Sequence, residues 1–149
     1  MNWTWRRFNE LGVDNLHDAL QLRARVFILE QGPYLDIDGL DRASWHLLGR
    51  DDAGDRLQAY LRIVDPGLKF DEPSIGRVVT ALEVRGTGLG RDLMREGLAG
   101  CRRHWPGRSV RISAQARLQP FYTGLGFAAV GDEYLEDEIP HIQMLWRPA

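Results

Sequence analysis

The chain has 149 residues, 44% hydrophobic and 27% charged, which fits one compact domain over residues 1–149 that can bury a core without disulfides or metals. A formal charge of -2 gives no electrostatic case for a nucleic-acid partner. The lone Cys101 excludes an intramolecular disulfide, the N-terminus lacks a signal-peptide core, and no run approaches the roughly 18 apolar residues of a membrane helix. A cytoplasmic protein without a membrane partner is expected. Lys69 is the only lysine, the other cations being arginines, and base composition alone accounts for that.

In chain order, Trp3 to Phe8 alternates apolar and polar and predicts a first strand. Asp14 is placed to cap a helix. Leu16, Ala19, Leu20, Arg23, Val26 and Phe27 then recur at helical spacing, and Gly32-Pro33 should stop that helix near Glu30-Gln31. Residues 32–43 read as an irregular acidic segment. Trp45–Gly49 and Leu57–Val64 predict an antiparallel hairpin around Asp51–Asp55. Past the break at Asp65-Pro66-Gly67, Ile75–Val84 is rich in β-branched residues and predicts a central strand. Leu89, Leu93, Met94, Leu98 and Cys101 form the apolar face of a helix ended by Trp105-Pro106-Gly107. Val110–Ala114 predicts a strand and Leu118–Gly124 a short helix. Phe127–Val130 and Ile142–Trp146 predict two last strands, joined by the acidic loop Asp132–Glu138. This order indicates a mixed α/β fold, a largely antiparallel sheet with a parallel step after Ile75–Val84.

Between that strand and the next helix lies Arg85-Gly86-Thr87-Gly88-Leu89-Gly90. Glycines permit positive φ and close approach of a ligand. The first amides of the following helix lack partners and, with the helix dipole, suit a pyrophosphate. Arg85 and Arg91 add positive charge. A dinucleotide fingerprint fails, because its last glycine falls on Arg91 and no acidic residue follows at ribose distance. A P-loop fails because Arg91-Asp92 follows Gly90. Arg-x-x-Gly-x-Gly remains, as Arg85, Gly88 and Gly90.

Further on, Phe121-Tyr122 on a short helix closed by Gly126-Phe127 resembles the second signature of the GNAT acetyltransferases, whose first signature is the glycine loop. The resemblance extends to the ElaA-like branch through Leu22–Phe27, Glu30-Gln31, residues 33–39, Ile75–Val78, Ala114–Ala116 and Ile139–Ile142. It implies a mostly antiparallel mixed sheet of six to seven strands flanked by helices. It also implies a V-shaped split between Ile75–Val84 and Val110–Ala114, into which the pantetheine arm of coenzyme A would fit. Acetyl-CoA is then the cofactor, with no metal. It would be held by Val78, Val79, Thr80, Arg85, Gly86, Thr87, Gly88, Leu89, Gly90, Arg91 and Gln115. Many family members carry asparagine where this chain has Gln115, whose amide offers the same donor and acceptor.

The resemblance implies acetyl transfer to a primary amine by direct attack in a ternary complex. An amide near Val79 or Thr80 would face the oxyanion, and Tyr122 would protonate the leaving thiolate. The base is open among Glu30, Asp36, Asp38, His46, Glu133, His141 and a water chain. Tyr34, Arg62 and Arg77 join Glu30, Asp36, Asp38, His46 and His141 as candidates for the acceptor pocket. Arg23, Arg62 and Arg77 are expected to pair with Glu30, Asp36 or Asp38. If the acidic stretches at 36–41 and 132–138 flank the pocket, they would attract a cationic small-molecule or peptide amine. A homodimer is compatible with the sequence but not derivable from it. The rival readings are a non-catalytic acyl-CoA sensor, a dinucleotide enzyme, and a hydrolase using Cys101.

Overall fold

The computed structural model describes residues 1–32 and 34–148. Pro33, half of the expected helix stop, lies outside the described residues. Strands β1 (Asn2–Arg7), β2 (Ser44–Arg50), β3 (Leu57–Val64) and β4 (Ser74–Thr80) pair antiparallel in that spatial order. Strands β5 (Val110–Gln115), β6 (Phe127–Glu136) and β7 (Ile139–Trp146) form a second antiparallel sheet in the order β5-β7-β6. No parallel ladder is formed where a parallel step was expected, since β4 and β5 belong to different sheets. They share one backbone bond near their first residues, from Arg111 N–H to Pro73 O at 3.1 Å.

The first sheet is covered on both faces. Successive strand residues point to opposite sides, so Leu47, Leu61 and Ile63 pack toward helix α2 (Leu89–His104), on Leu93, Met94, Leu98 and Cys101. Leu48 and Tyr60 pack toward helix α1 (Gly12–Arg23), on Ala19, Leu22, Val26 and Phe27. That double burial explains why β3 is buried without interruption from Ala59 to Val64. The first core continues into the second sheet through Ile112, Ala114 and Met144. Among the described residues no helix is long and apolar enough to cross a membrane.

Three boundaries differ from the expected ones. Helix α1 starts at Gly12, after a tight turn at Phe8–Glu10, so Asp14 sits in its first turn rather than capping it. Beyond Arg23 the helix widens over Ala24–Ile28, where Leu29 N–H reaches back to Ala24 O at 3.1 Å. Strand β4 stops at Thr80. Ala81 N–H makes a last bond to Gln58 O at 2.8 Å, and Leu82–Val84 coil into a short turn that lifts the chain off the sheet. The acidic stretch at 132–138 is not a loop: β6 runs to Glu136, and Asp137 and Glu138 make the turn into β7 with φ of 50° and 64°. Its carboxylates lie on an edge strand, where charge discourages pairing with another chain.

Helix α2 approaches the first sheet closely because two of its inward positions are glycines. A Cβ on Gly100 would lie 2.5 Å from Trp5 Cζ2, and one on Gly97 would lie 2.9 Å from Leu61 Cδ2. Helix propensity alone favours alanine over glycine by about 1 kcal/mol, whereas overpacking costs about 1–3 kcal/mol. Gly100→Ala should therefore lower the free energy of unfolding. In a Trp5→Leu background the same change should raise it, because the clash is gone. Denaturant unfolding of the four chains measures both signs; stabilisation in the wild-type background would contradict this packing.

Candidate active site

Beyond the Pro73–Arg111 bond, β4 and β5 are edges of different sheets and face each other unpaired. A bulge on β4 accompanies the parting. Tyr60 opposes Val79 and Arg62 opposes Gly76, so β4 carries one residue more than β3, and Arg77 takes φ 51° there. The gap opens into a cleft of about 420 Å³. Val78, Val79 and Thr80 line one wall, and Ile112 to Gln115 line the other. Edge strands present unpaired N–H and C=O groups, so this slot can receive an extended, amide-bearing chain as a substitute strand.

At the wide end stands the glycine loop. Gly86 and Gly88 hold φ of 79° and 85°, a region costly for other residues. Gly88 caps α2, and Leu89 and Gly90 begin it with amides that have no preceding carbonyl within the helix. The Thr87 hydroxyl donates to Val84 O at 2.6 Å and steadies the turn. Only Arg85 of this segment lines the cleft itself; Gly86 to Arg91 adjoin it, with Leu89 buried in the core and Arg91 exposed. Arg85 forks onto Glu30 at 2.9 and 2.7 Å, which holds the Glu30 carboxyl below its usual range. Gln31, the next residue, accepts from Gln115 Nε2 at 2.9 Å, and Gln115 Oε1 accepts from Arg117 at 3.2 Å. The end of the α1 segment thus touches both sides of the slot.

Tyr122 comes from helix α3 (Gln119–Thr123), which has Pro120 in its first turn. Its ring is wedged edge-on between Phe121 and Phe127, with centroids at 5.1 and 5.9 Å. It lines the cleft, and its hydroxyl makes no hydrogen bond among the described residues. Burial pushes its pKa up to about 12, so the hydroxyl holds its proton at neutral pH. Cys101 is buried on the core face of α2 and its thiol is pushed up to about 12, which removes it as a nucleophile.

The β6–β7 hairpin and the β3–β4 connection line another part of the cleft. His141 Nδ1 lies 2.7 Å from Ile139 O. A carbonyl only accepts, so the ring proton sits on Nδ1. Nε2, 3.3 Å from Glu136 Oε2, is where a second proton enters or leaves. Ser113 bonds the Tyr134 hydroxyl beside Glu136. Lys69 and Ser113 line the cleft here and escaped the sequence reading, while Glu136 and Asp137 belong to the acidic stretch expected to flank the pocket. Only one cue pointed to Lys69, its being the sole lysine.

The family model described as Acetyltransferase (GNAT) domain matches residues 53–148. Protein ElaA of Escherichia coli is 42% identical over 147 residues, spanning 97% of this chain and 95% of that protein. The chain belongs to the GNAT acetyltransferase family. A UPF0039 protein of Synechocystis is 45% identical over 99% of this chain and 96% of its own length. Among solved structures, an acyl-CoA N-acyltransferase from Pseudomonas aeruginosa superposes with a TM-score of 0.91 at 43% identity, covering 97% of this chain and 98% of that one. E. coli ElaA superposes with a TM-score of 0.90 at 41% identity, covering 98% and 99%.

Within this GNAT domain, four of the residues expected in the acceptor pocket lie behind its wall instead. Asp36, Asp38, His46 and Arg62 do not line the cleft. Arg23 binds Asp36 at 3.0 Å and Asp41 at 2.9 Å. Arg62 binds Asp38 at 2.6 Å and Asp41 at 3.0 Å. Arg77 reaches Asp36 at 2.8 Å and Asp38 at 3.2 Å, and its guanidinium lies 5.8 Å from the Tyr34 ring centre. Three arginines thus neutralise three aspartates, and Arg77 and Tyr34 alone of the set also border the cleft. Of the expected partners Glu30 is the exception, bound to Arg85. His46 is 1% exposed, with Nε2–H donating to Asp41 O at 2.8 Å and Nδ1 accepting from the Tyr60 hydroxyl at 2.7 Å. Burial lowers its pKa and keeps it neutral, which ends its candidacy as a base. Among the described residues no three His, Cys, Asp or Glu side chains are grouped to hold a metal ion.

The cluster gives stability a pH dependence of definite sign. Burial opposes ionisation of Asp38 and Asp41, but Arg62 on the first, and Arg23 and Arg62 on the second, more than offset it and hold both below the usual range. A depressed folded pKa stabilises fully above the unfolded value of about 3.9 and is lost as pH falls below it. The unfolding midpoint should be flat from about pH 5 to 7 and drop below about pH 4. Arg62→Met removes one of the two arginines on each of Asp38 and Asp41, which keep Arg77 and Arg23, and should cost about 1–3 kcal/mol at pH 7, with a shallower acid loss. Equal acid sensitivity in both chains would contradict this assignment.

Proposed function

We propose that the chain is an acetyl-CoA-dependent N-acetyltransferase that moves an acetyl group to a primary amine by direct attack in a ternary complex. The observation that carries this reading is the Tyr122 hydroxyl, protonated and without a partner, on the wall of a slot bounded by two unpaired strand edges. The fold likeness extends to an aminoglycoside 6'-N-acetyltransferase complexed with coenzyme A, with a TM-score of 0.74 at 12% identity.

The residues present fit the donor. The free amides of Leu89 and Gly90, on a backbone turned by Gly86 and Gly88, suit the pyrophosphate. The edges at Val78–Thr80 and Ala114-Gln115 suit the amides of the pantetheine arm. The side-chain amide of Gln115 is already held in the slot by Gln31 and Arg117, and can exchange Gln31 for the ligand. Acetyl-CoA would supply a thioester carbonyl; attack by a neutral amine would form the C–N bond and break the C–S bond, and the proton that the nitrogen releases would balance the one taken up by the thiolate. An N–H of Val79 or Thr80 stabilises the oxyanion, and Tyr122 Oη donates the proton that the thiolate needs.

His141 is the base. Of the candidates, Glu30 is tied to Arg85, Asp36 and Asp38 to arginines, and His46 to Asp41 and Tyr60. Glu133 is exposed on β6, away from the cleft. His141 Nε2 beside Glu136 remains at the acceptor end. It takes a proton from the incoming ammonium and the carboxylate steadies the imidazolium.

Tyr122→Phe should lower kcat by about 100-fold, the lower range for a general acid, while coenzyme A affinity changes by no more than about twofold. Because Tyr122 loses its proton only near 12, the wild-type rate should show no descending limb below about pH 10. Steady-state rates by thiol release, with coenzyme A affinity by calorimetry, check both. Coenzyme A binding without turnover on a broad amine panel would instead support an acyl-CoA sensor.

A further inference from the structure

Lys69 is a cation without a counter-ion at the acceptor end of the cleft. It sits on the β3–β4 connection, half-buried, and lines the cavity. It forms no ion pair and no side-chain hydrogen bond among the described residues. The carboxylates near enough to act on it are Asp38, which is paired with Arg62 and Arg77, and Glu136, whose carboxylate also lies 3.3 Å from His141 Nε2. Of the other cations lining the cleft, Arg77 is paired with Asp36 and Asp38 and Arg85 with Glu30, while Arg117 is exposed and holds the Gln115 side-chain oxygen. Its ammonium lies over the Phe70 ring, 5.7 Å from the centroid, and burial lowers its pKa, as expected of an ammonium withdrawn from water without an ion pair. Such a charge is costly until an anion arrives.

The same end of the cleft carries the opposite sign on the β6–β7 hairpin, as Glu136 and Asp137 beside His141. The first acidic segment, which was expected to draw a cation, cannot contribute, because Asp36, Asp38 and Asp41 are each neutralised by arginine. A polyamine would meet Lys69 with like charge and offer it nothing. A molecule carrying both an amine and a carboxylate satisfies both sides of the pocket.

We propose that Lys69 binds a carboxylate of the acceptor, so that the acceptor is a zwitterionic amine of the amino-acid type, with its amine at Glu136 and His141. This rests on the acetyl-transfer reading above. Lys69 is a specificity residue here, and the acetyl group passes to the acceptor's own nitrogen.

The test is calorimetric titration of the wild type, Lys69→Met and Lys69→Arg with amino acids, each beside its carboxamide, and with an aliphatic diamine. Each titration is run with and without saturating coenzyme A, whose own affinity is measured first. One or more amino acids should bind, with the matching carboxamide and the diamine about tenfold weaker or more, the loss of one charge-assisted contact. Lys69→Met should erase that difference, Lys69→Arg should keep part of it, and coenzyme A affinity should stay the same in all three. Carboxamides or diamine binding as well as the acids, a preference that survives Lys69→Met, or no acid binding in either condition would overturn the proposal. Failure of coenzyme A to bind the wild type would overturn the acetyl-transfer reading instead, and the amine titrations without coenzyme A would still decide the role of Lys69.

Discussion

The architecture depends on two strands that begin as neighbours and then part. Arg111 N–H and Pro73 O close the bottom of the gap, and the bulge at Arg77 turns β4 away from the line it would need to stay paired. Unpaired backbone groups are expensive when dry. A fold that leaves two such edges facing each other across a cavity has a place for a ligand that supplies the missing bonds. The rest of the site is arranged around that slot, with the glycine loop following β4, and Tyr122 and the β6–β7 hairpin on its wall.

The arginine–aspartate cluster holds this opening in shape. Arg77 occupies an uncommon backbone conformation at the bulge, and its side chain is held by Asp36 and Asp38 on the preceding loop. Arg23 and Arg62 tie that loop to α1 and β3, so strain at the bulge is offset by ionic contacts behind the wall. Burying so many charges is weak evidence for stability in itself. Its effect here is positional: it fixes a segment that has no regular structure and so sets the edge of the acceptor pocket.

Much of this was legible in the residues, for physical reasons. Gly86 and Gly88 stand at positions where turn geometry demands glycine, and the apolar face of α2 repeats at helical spacing, so loop and helix could be read locally. Phe121-Tyr122 and Gly126-Phe127 carried the family resemblance. The misplaced residues share another property, that their environment is set by distant partners. His46 and Arg62 alternate along strands as pocket residues would, yet Asp41 and Tyr60 claim them from elsewhere in the chain. Asp132 to Glu136 read as loop because their composition is polar, while an edge strand tolerates such composition and the pairing of Tyr134 to Glu136 with β7, past a register shift after Val130, is invisible in local pattern. Lys69 looked like an accident of composition until the fold put it in the cavity beside the hairpin.

Amide hydrogen exchange with and without acetyl-CoA tests the central claim most directly. The account predicts slowed exchange confined to the glycine-loop amides at 86–91, the β4 edge at 78–80 and the β5 edge at 113–115, with the outer strands β1 and β2 unchanged. Protection that spares these edges, or that spreads evenly over both sheets, would contradict the account of the slot as the binding element.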